Sequence, residues 1–212
     1  MRLLTVLLDI LLPPRDAARI LRTTSIEDLG QLVYPLIVET TDPSVTALLP
    51  YRAPLVRALV REAKYQDSHV AQKMLGAVLH DYLSDFASDR AAFSPGPLVL
   101  VPVPLSKKRL SERGYNQVTR ICEAALGEVN PGFVFHPKIL NRIRHTEAQT
   151  TLSKTERLHN MVGAFEAQEP VDPNVTYIVV DDVTTTGATL AAAVIALQKA
   201  GALHIYPLAL AH

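Results

Sequence analysis

Unbroken apolar runs alternate with helix-period stretches over the last two thirds of the chain. Residues 98–101 and 177–180 are apolar throughout, as expected of strands buried on both faces of a sheet. A polar bend follows each run, and apolar residues at helical spacing follow each bend. Parallel sheets are built from such repeated units. The pattern therefore predicts an α/β domain over residues 51–212, with helices flanking a central parallel sheet.

Two amphipathic helices are predicted upstream of the first run. The first has an apolar face formed by Leu55, Val56, Leu59, Val60 and Ala63. Its opposite face is basic and carries Arg52, Arg57, Arg61 and Lys64. A break at Asp67 and Ser68 precedes the second helix. The predicted buried face of that helix consists of Val70, Met74, Leu75, Val78, Tyr82 and Phe86.

Residues 1–50 are predicted to be a helical N-terminal extension. The apolar stretch 1–12 is interrupted by Asp9 and is shorter than the ~20 residues that span a bilayer, so an integral membrane protein is not expected. We expect this stretch to pack on the domain or on a partner chain, which leaves an oligomer open, with a membrane-surface role as a second option. Residues 38–50 are expected to be a turn-rich connector.

The segments around the second apolar run are less regular. Residues 139–143 are predicted to be a strand, 146–150 a loop and 153–160 a helix. A last strand is predicted over residues 202–210. Because Pro207 has no N–H group to donate to a neighbouring strand, an edge position is expected for that strand.

Composition narrows the class of protein. The 212 residues include 21 basic and 21 acidic side chains, so no net charge draws the whole chain to nucleic acid or membrane. The only cysteine is Cys122, which excludes an intramolecular disulfide and a cysteine-rich zinc site. We therefore expect a cytoplasmic protein without zinc.

Two carboxylates and a hydroxyl-rich bend follow the second apolar run. Asp181 and Asp182 stand where the strand is expected to end, and residues 184–189 are mostly threonine and glycine. Unpaired N–H groups at the following helix start, with about +0.5 charge from its dipole, attract a phosphate. Two carboxylates beside a phosphate site would repel the phosphate unless they had another partner. Ribose hydroxyls, or Mg²⁺ held against them, would be such a partner. This predicts a sugar phosphate with a free vicinal diol; the alternative is an ordinary turn in which Asp and Thr cap the helix.

The stretch Y-I-V-V-D-D-V-T-T-T-G-A-T resembles the 5-phosphoribosyl-1-pyrophosphate (PRPP) motif of type I phosphoribosyltransferases. The resemblance implies the type I phosphoribosyltransferase-like fold. It implies that the threonine-rich residues hold the 5′-phosphate and that the acids face the ribose hydroxyls and, indirectly, Mg²⁺. The implied PRPP-binding residues are Asp181, Asp182, Val183, Thr184, Thr185, Thr186, Gly187, Ala188 and Thr189.

A sugar pyrophosphate needs a second anion site, and the loop after the first apolar run is the expected place. Arginine can bind phosphate oxygens in a bidentate manner, and lysine supplies a compact charge. The alternative is a solvated basic turn. The predicted pyrophosphate loop comprises Pro104, Leu105, Ser106, Lys107, Lys108, Arg109 and Arg113.

The run V-P-V-P-L-S-K-K-R-L-S-E-R-G-Y-N-Q at residues 101–117 resembles the competence protein F (ComF/GntX) branch of phosphoribosyltransferase-like proteins. Lys64-Tyr65 and the pattern Arg142-x-Arg144-x-Thr146-x-x-Gln149 fit that branch as well. Members usually carry four cysteines as a zinc ribbon near the start, which this chain lacks. The predicted catalytic residues are Asp181, Asp182, Arg142 and Arg144. The two arginines belong to a candidate lid that also contains His145 and Gln149 and that could close over the reacting centre.

Three functions are consistent with these features. The first is a Mg²⁺-dependent phosphoribosyltransferase with an unassigned acceptor, in which the basic loop stabilises the leaving pyrophosphate. The second is a PRPP or nucleotide sensor that performs no transfer. The third is a competence factor that handles single-stranded DNA together with a partner ATPase, for which the basic helix face and basic loop would contact phosphates.

Overall fold

The structure is a computed structural model, and it describes residues 20–21, 23–39, 42–93, 96–127, 132–144, 161, 163–168 and 171–212. The strands in these ranges are β1 (Leu36–Val38), β2 (Val45–Leu49), β3 (Leu98–Pro102), β4 (Phe133–Phe135), β5 (Leu140–Arg142), β6 (Phe165–Ala167), β7 (Thr176–Val183) and β8 (His204–Ala211). The helices include α1 (Ile26–Gly30), α2 (Pro54–Tyr65), α3 (His69–Phe93), α4 (Lys107–Arg113), α5 (Gln117–Leu126) and α6 (Ala188–Lys199).

The central sheet has the strand order β1, β2, β8, β7, β3, β4. Its neighbouring strands are parallel except for β1 and β2, which are antiparallel. Strands β5 and β6 form a separate antiparallel pair. The prediction of an α/β chain with helices flanking a central parallel sheet is confirmed in its main part, and the antiparallel pair of β1 and β2 makes the sheet mostly parallel.

The sheet is buried on both faces. Successive side chains of a strand point to opposite faces, and helices pack on each of them. In β7, Ile178 and Val180 belong to an apolar cluster that also contains residues of α2, α3 and α5. Tyr177 and Val179 belong to a second cluster, which α6 supplies with Leu190 and other residues. This two-sided burial explains why the β3 and β7 segments are continuous apolar runs.

The apolar face predicted for α2 is confirmed, since Val56, Leu59, Val60 and Ala63 are buried. The second predicted helix corresponds to α3, and the centre of its predicted face is buried as well. Val70 is an exception: it is 56% exposed in the first turn of α3, so its placement in the core is wrong. The buried face begins one residue later, at Ala71.

The predicted connector over residues 38–50 is wrong, because part of it is the sheet strand β2. Thr46 lies opposite Leu208 of β8, and Val45, Ala47, Leu48 and Leu49 are buried. The sheet therefore extends back across the boundary predicted at residue 50. Residues 1–19, including the apolar stretch 1–12, lie outside the described ranges.

The edge position predicted for the last strand is also wrong, because β8 lies between β2 and β7. Pro207 lies opposite Val179 of β7 and one residue before Leu208, where the pairing with β2 begins. Up to Pro207, β8 is therefore paired on one side only, which accommodates a residue without an N–H donor.

Candidate functional site at the carboxyl edge of the sheet

The bends that follow β3 and β7 lie side by side. The two strands are parallel neighbours with Pro102 opposite Val180. Beyond this pair, the Val103 N–H donates to the Val180 carbonyl at 2.8 Å. Because neighbouring parallel strands run in the same direction, the segments that follow them leave the same edge of the sheet. The fold thus brings together the threonine-rich bend and the basic segment, which are far apart in the sequence.

The threonine-rich bend, residues 184–187, connects β7 to α6. Gly187 has a φ of +70°, a left-handed conformation that glycine adopts without the steric cost of a Cβ. The Ala191 N–H donates to the Gly187 carbonyl at 2.8 Å, which starts the hydrogen bonding of α6. The N–H groups that precede Ala191 in α6 have no partner within the helix, as in any first turn. The bend therefore presents backbone N–H groups at the start of α6, as the start of any helix does.

The predicted PRPP-binding residues differ in their exposure. The buried ones are Asp182, Thr184, Thr186, Gly187 and Ala188. The half-buried ones are Asp181, Val183 and Thr189, whereas Thr185 is exposed. A ligand at this bend would thus meet Thr185, Thr189 and the backbone before it reached the other hydroxyl groups.

The predicted pyrophosphate loop is largely the short helix α4. Ser106 accepts a hydrogen bond from the Arg109 N–H at 3.3 Å and caps its start, and Gly114, with a φ of +82°, ends it. The prediction of a loop over this whole segment is therefore wrong. Lys107 and Lys108 are exposed on α4. Arg109, Arg113, Pro104 and Leu105 are half-buried.

Asp182 is the centre of a buried polar network. Its Oδ2 lies 3.3 Å from the Lys64 Nζ of α2 and accepts a hydrogen bond from the Gln117 Nε2 of α5 at 2.5 Å. Its Oδ1 accepts from the Val183 N–H at 2.7 Å. The residue is 5% exposed, so these donors replace the water that a carboxylate requires. Two helices and one strand thus converge on a single carboxylate.

The network continues to the basic helix α4. The Arg113 Nη1 donates to the Gln117 Oε1, so Gln117 connects Arg113 to Asp182. The Arg113 guanidinium also lies over the Tyr65 ring, 5.3 Å from its centre, at cation–π distance. The acidic pair and α4 are therefore linked through side chains as well as through neighbouring strands.

The end of α2 is held in place by Tyr115. Its hydroxyl donates to the Ala63 carbonyl at 3.1 Å and accepts from the Asp67 N–H at 2.9 Å. These bonds fix the last turn of α2, where Lys64 and Tyr65 lie, against the segment that precedes α5. The position of the Lys64 ammonium thus depends on contacts between elements that are distant in the sequence.

The two acids have opposite pKa shifts. Burial and the neighbouring charge of Asp182 raise the pKa of Asp181 to about 7. Burial also disfavours the charged form of Asp182. The Lys64 ammonium and the Gln117 hydrogen bond outweigh burial and lower the pKa of Asp182 below its ordinary value. The attraction of Asp182 raises the pKa of Lys64. Asp182 therefore stays ionised, whereas Asp181 exchanges a proton near neutral pH.

Arg142 and Arg144, the other two predicted catalytic residues, differ in position. Arg142 of β5 is 9% exposed, and its guanidinium lies 5.4 Å from the centre of the Phe165 ring. Burial and the charge of Arg109 lower the pKa of Arg142, while the charge of Asp181 opposes that shift. Arg142 therefore lies near both parts of the site. Arg144 is exposed, and the rest of the predicted lid, residues 145–150, lies outside the described ranges.

A cavity of about 460 Å³ opens beside this network. Its lining comes from the end of α2, from α4 and from the turn before α5. The lining residues are Lys64, Tyr65, Arg109, Glu112, Arg113 and Tyr115. Three cations therefore face one carboxylate around this space.

Direct coordination of Mg²⁺ by Asp182 does not fit this arrangement. Both carboxylate oxygens already accept hydrogen bonds, and the Lys64 ammonium 3.3 Å away disfavours a second cation. No group of three or more His, Cys, Asp and Glu side chains in the described ranges could hold a metal ion. The acidic pair is compatible with magnesium bound to the oxygens of a ligand and held indirectly.

Lys64 and Gln117 are the site residues whose roles the sequence did not predict. Lys64 was predicted on the basic face of α2, which one of the three candidate functions would use to contact DNA phosphates, whereas its ammonium lies 3.3 Å from the Asp182 carboxylate. Helical periodicity separates apolar from polar faces but does not say which partner a polar side chain meets. The Lys64-Tyr65 and Asn116-Gln117 pairs within the family-like segments were the available signal.

The fold and the site define an α/β protein with an acidic pair, a threonine-rich bend and clustered cations at the carboxyl edge of a parallel sheet. DNA utilization protein YhgH of Salmonella typhi is 31% identical over 150 residues, which cover 70% of this chain and 63% of that protein. Competence protein ComFC of Bacillus subtilis is 37% identical over 114 residues, 53% of this chain and 44% of that protein. Competence protein F of Haemophilus influenzae is 30% identical over 135 residues, which cover 62% of this chain and 57% of that protein.

The chain belongs to the ComF family. It covers less than two thirds of the length of each of these three relatives. No family model matches the chain. In the described part of the chain, no helix has the length and apolar character needed to cross a bilayer.

Proposed function

We propose that this ComF-family protein binds a ribose phosphate, with PRPP as the first candidate, and transfers its phosphoribosyl group to an acceptor. The observation that carries the proposal is the grouping at one sheet edge of the threonine-rich bend, the acidic pair and the arginines of α4. The bend would hold the 5′-phosphate with backbone N–H groups and hydroxyls. Asp181 and Asp182 would accept hydrogen bonds from the ribose hydroxyls.

The cations beside the acidic pair suit the departure of pyrophosphate. In the transfer, the acceptor's electron pair forms a bond to C1′ while the bond from C1′ to the pyrophosphate oxygen breaks. The pyrophosphate leaves with that electron pair, so negative charge grows on its oxygens. Arg109 and Arg113 would stabilise this charge, and Arg142, whose pKa responds to the charges of Arg109 and Asp181, would add to the positive potential. Magnesium, held by the ligand's oxygens, would add charge neutralisation when bound.

Calorimetry with PRPP and Mg²⁺ tests the binding step. We expect the double variant Asp181→Asn, Asp182→Asn to bind PRPP at least about tenfold more weakly, because it loses charge-assisted hydrogen bonds to the ribose. Asp85→Asn, on the exposed side of α3, is the matched control. Equal affinity in the double variant and the control would refute the ribose assignment.

Pyrophosphate release tests the transfer step. The wild-type protein would be incubated with PRPP, Mg²⁺ and a panel of bases and amines, and the released pyrophosphate measured. Release that depends on one acceptor class would support a transferase. PRPP binding without release for any acceptor would favour a sensor instead.

A second candidate function is DNA handling of the competence type, which the names of the relatives favour. The exposed Lys107 and Lys108 and the half-buried Arg109 lie together on α4 and would contact backbone phosphates. In this candidate function the protein would act together with a partner ATPase. Oligonucleotide retention that falls steeply with salt, and that is lost when these three residues become alanine, would support it. Retention that these substitutions leave unchanged would count against it.

A further inference from the structure

His212 lies beside the threonine-rich bend at the carboxyl edge of the sheet. The last residue of β8 lies opposite Val183 of β7, so the residues that follow them, His212 and Thr184, are neighbours. The His212 Nδ1 lies 3.1 Å from the Thr184 carbonyl oxygen. On its other side, the His212 N–H donates to the Leu49 carbonyl at 3.1 Å, and the Tyr51 N–H donates to the His212 carbonyl at 2.9 Å. The imidazole is therefore held at the bend although the residue is exposed.

The hydrogen bond to Thr184 decides which ring nitrogen carries a hydrogen. A backbone carbonyl oxygen can only accept a hydrogen bond, so the His212 Nδ1 must be the donor. In the neutral imidazole, Nε2 then has a lone pair and can accept a proton. Within the described ranges, Nε2 forms no hydrogen bond. An imidazole that is oriented through one nitrogen and has the other open to solvent can act as a general base.

His212 and the arginines of α4 stand on opposite sides of the bend. Strands β8 and β3 flank β7 in the sheet, and His212 follows β8 whereas α4 follows β3. In the proposed transfer, the pyrophosphate leaves toward Arg109 and Arg113. The acceptor attacks C1′ from the face opposite the leaving group, so it approaches from the side of β8.

Asp181 is another group at this edge that exchanges a proton near neutral pH. It belongs to β7 itself, and the proposed function places the ribose hydroxyls against it. Of the two groups, His212 is the one on the side from which the acceptor approaches.

We infer that His212 is the general base of the proposed transfer and contacts the acceptor through Nε2. The nucleophilic nitrogen or oxygen of the acceptor loses a proton to Nε2 while an electron pair of the same atom forms the bond to C1′. The bond from C1′ to the pyrophosphate oxygen breaks, and the pyrophosphate keeps that electron pair. The imidazolium retains its Nδ1–H bond to the Thr184 carbonyl, which strengthens with the positive charge, and then gives its proton to water.

This role rests on the proposed function and narrows the class of acceptor. A base is needed where the attacking nitrogen or oxygen carries a hydrogen, as in an amine, an azole ring or a hydroxyl group. A pyridine-type nitrogen attacks with a free lone pair and has no proton to lose. The expected acceptor therefore belongs to the first class.

Pyrophosphate release by the full chain, with PRPP, Mg²⁺ and the panel of acceptors, tests the base. His212→Asn keeps a side-chain N–H group that can donate to Thr184, but its amide does not accept a proton. We expect kcat to fall at least about 100-fold in this variant, with PRPP affinity by calorimetry within about twofold of the wild type. His204→Asn, at the exposed start of the same strand, is the matched control and should keep the wild-type rate.

Two results would overturn the role of His212 and leave the proposed transfer standing. The first is a kcat of His212→Asn within about threefold of the wild type, because the hydrogen bond to Thr184 would then be all that His212 supplies. The second is wild-type release with pyridine-type acceptors alone. If the wild type releases pyrophosphate with no acceptor of the panel, the transfer fails and the role of His212 fails with it.

The tautomer of His212 can be measured without any substrate. In ¹⁵N-labelled protein, long-range correlations within the imidazole distinguish a hydrogen on Nδ1 from one on Nε2, and their loss in His212→Asn assigns them. At a pH at which the ring is neutral, we expect the hydrogen on Nδ1. A hydrogen on Nε2 would overturn the role of His212 as the base without affecting the proposed function.

Discussion

Replacing Lys64 by methionine should destabilise the fold, because the substitution leaves the Asp182 carboxylate buried without its cation. The side chain of Asp182 is 7% exposed and that of Lys64 is 26% exposed. Methionine keeps much of the aliphatic length of lysine and removes the charge. The Gln117 and Val183 hydrogen bonds would still reach Asp182, but burial would raise its pKa once the ammonium was gone.

The expected loss is about 2–3 kcal/mol in the free energy of unfolding. Removing one partner of a fully buried ion pair costs about 3–5 kcal/mol. The Lys64 end of this pair is partly solvated and two hydrogen bonds to Asp182 remain, so we expect a loss below that of a fully buried pair. Adding Asp182→Asn should recover part of this loss, because the double variant contains no unpaired buried charge. We expect a coupling free energy of about 1–3 kcal/mol between the two positions.

Urea denaturation of the wild type, both single variants and the double variant measures this cycle near neutral pH. Lys73→Met is the matched control, since it removes a lysine charge from the exposed side of α3 and should change stability by less than about 0.5 kcal/mol. A Lys64→Met variant no less stable than Lys73→Met, or strictly additive losses in the double variant, would refute the account of Lys64 as the counter-ion of Asp182.

Three further predictions concern pH and two glycines. Folding raises the pKa of Asp181 from 3.8 to about 7, so the folded chain binds this proton more tightly and the wild type should lose stability as pH rises between these values. Asp181→Asn should show less of this loss between about pH 4 and about pH 7 in urea denaturation, and an unchanged pH dependence would contradict the shift. Gly76→Ala would place a Cβ 2.8 Å from the Ala124 Cβ and force α3 away from α5, at a cost of about 1–3 kcal/mol by thermal or urea denaturation. Gly30→Ala, whose Cβ meets nothing within 4 Å, is the control, and equal stability of these two variants would contradict the packing argument. Gly187→Ala should lower the free energy of unfolding by about 1–2 kcal/mol, because alanine is strained at a φ of +70°. Calorimetry should also show weaker PRPP binding by this variant. Wild-type stability together with wild-type binding would argue against a constrained bend.

Local patterns in the sequence predicted the elements that carry the site. The apolar runs predicted β3 and β7, because strands buried on both faces admit almost no polar residues. Periodicity predicted the buried face of α2 and, apart from Val70, the centre of the buried face of α3. The acids were recognised at the end of a strand and the threonines directly after it, which places both at the carboxyl edge of a parallel sheet.

Only the tertiary structure decided how these elements meet. Pairing with β2 makes β8 an inner strand, although Pro207 indicated an edge, because strand pairing is a non-local contact that local composition does not encode. Likewise, Gln117 lies 65 positions from Asp182, and only the packing of α2 and α5 on the sheet brings Gln117 and Lys64 to the same carboxylate. The residue types of the site could therefore be predicted from the sequence. The ionisation of each acid could not, because it depends on burial and on partners that come together only when the chain has folded.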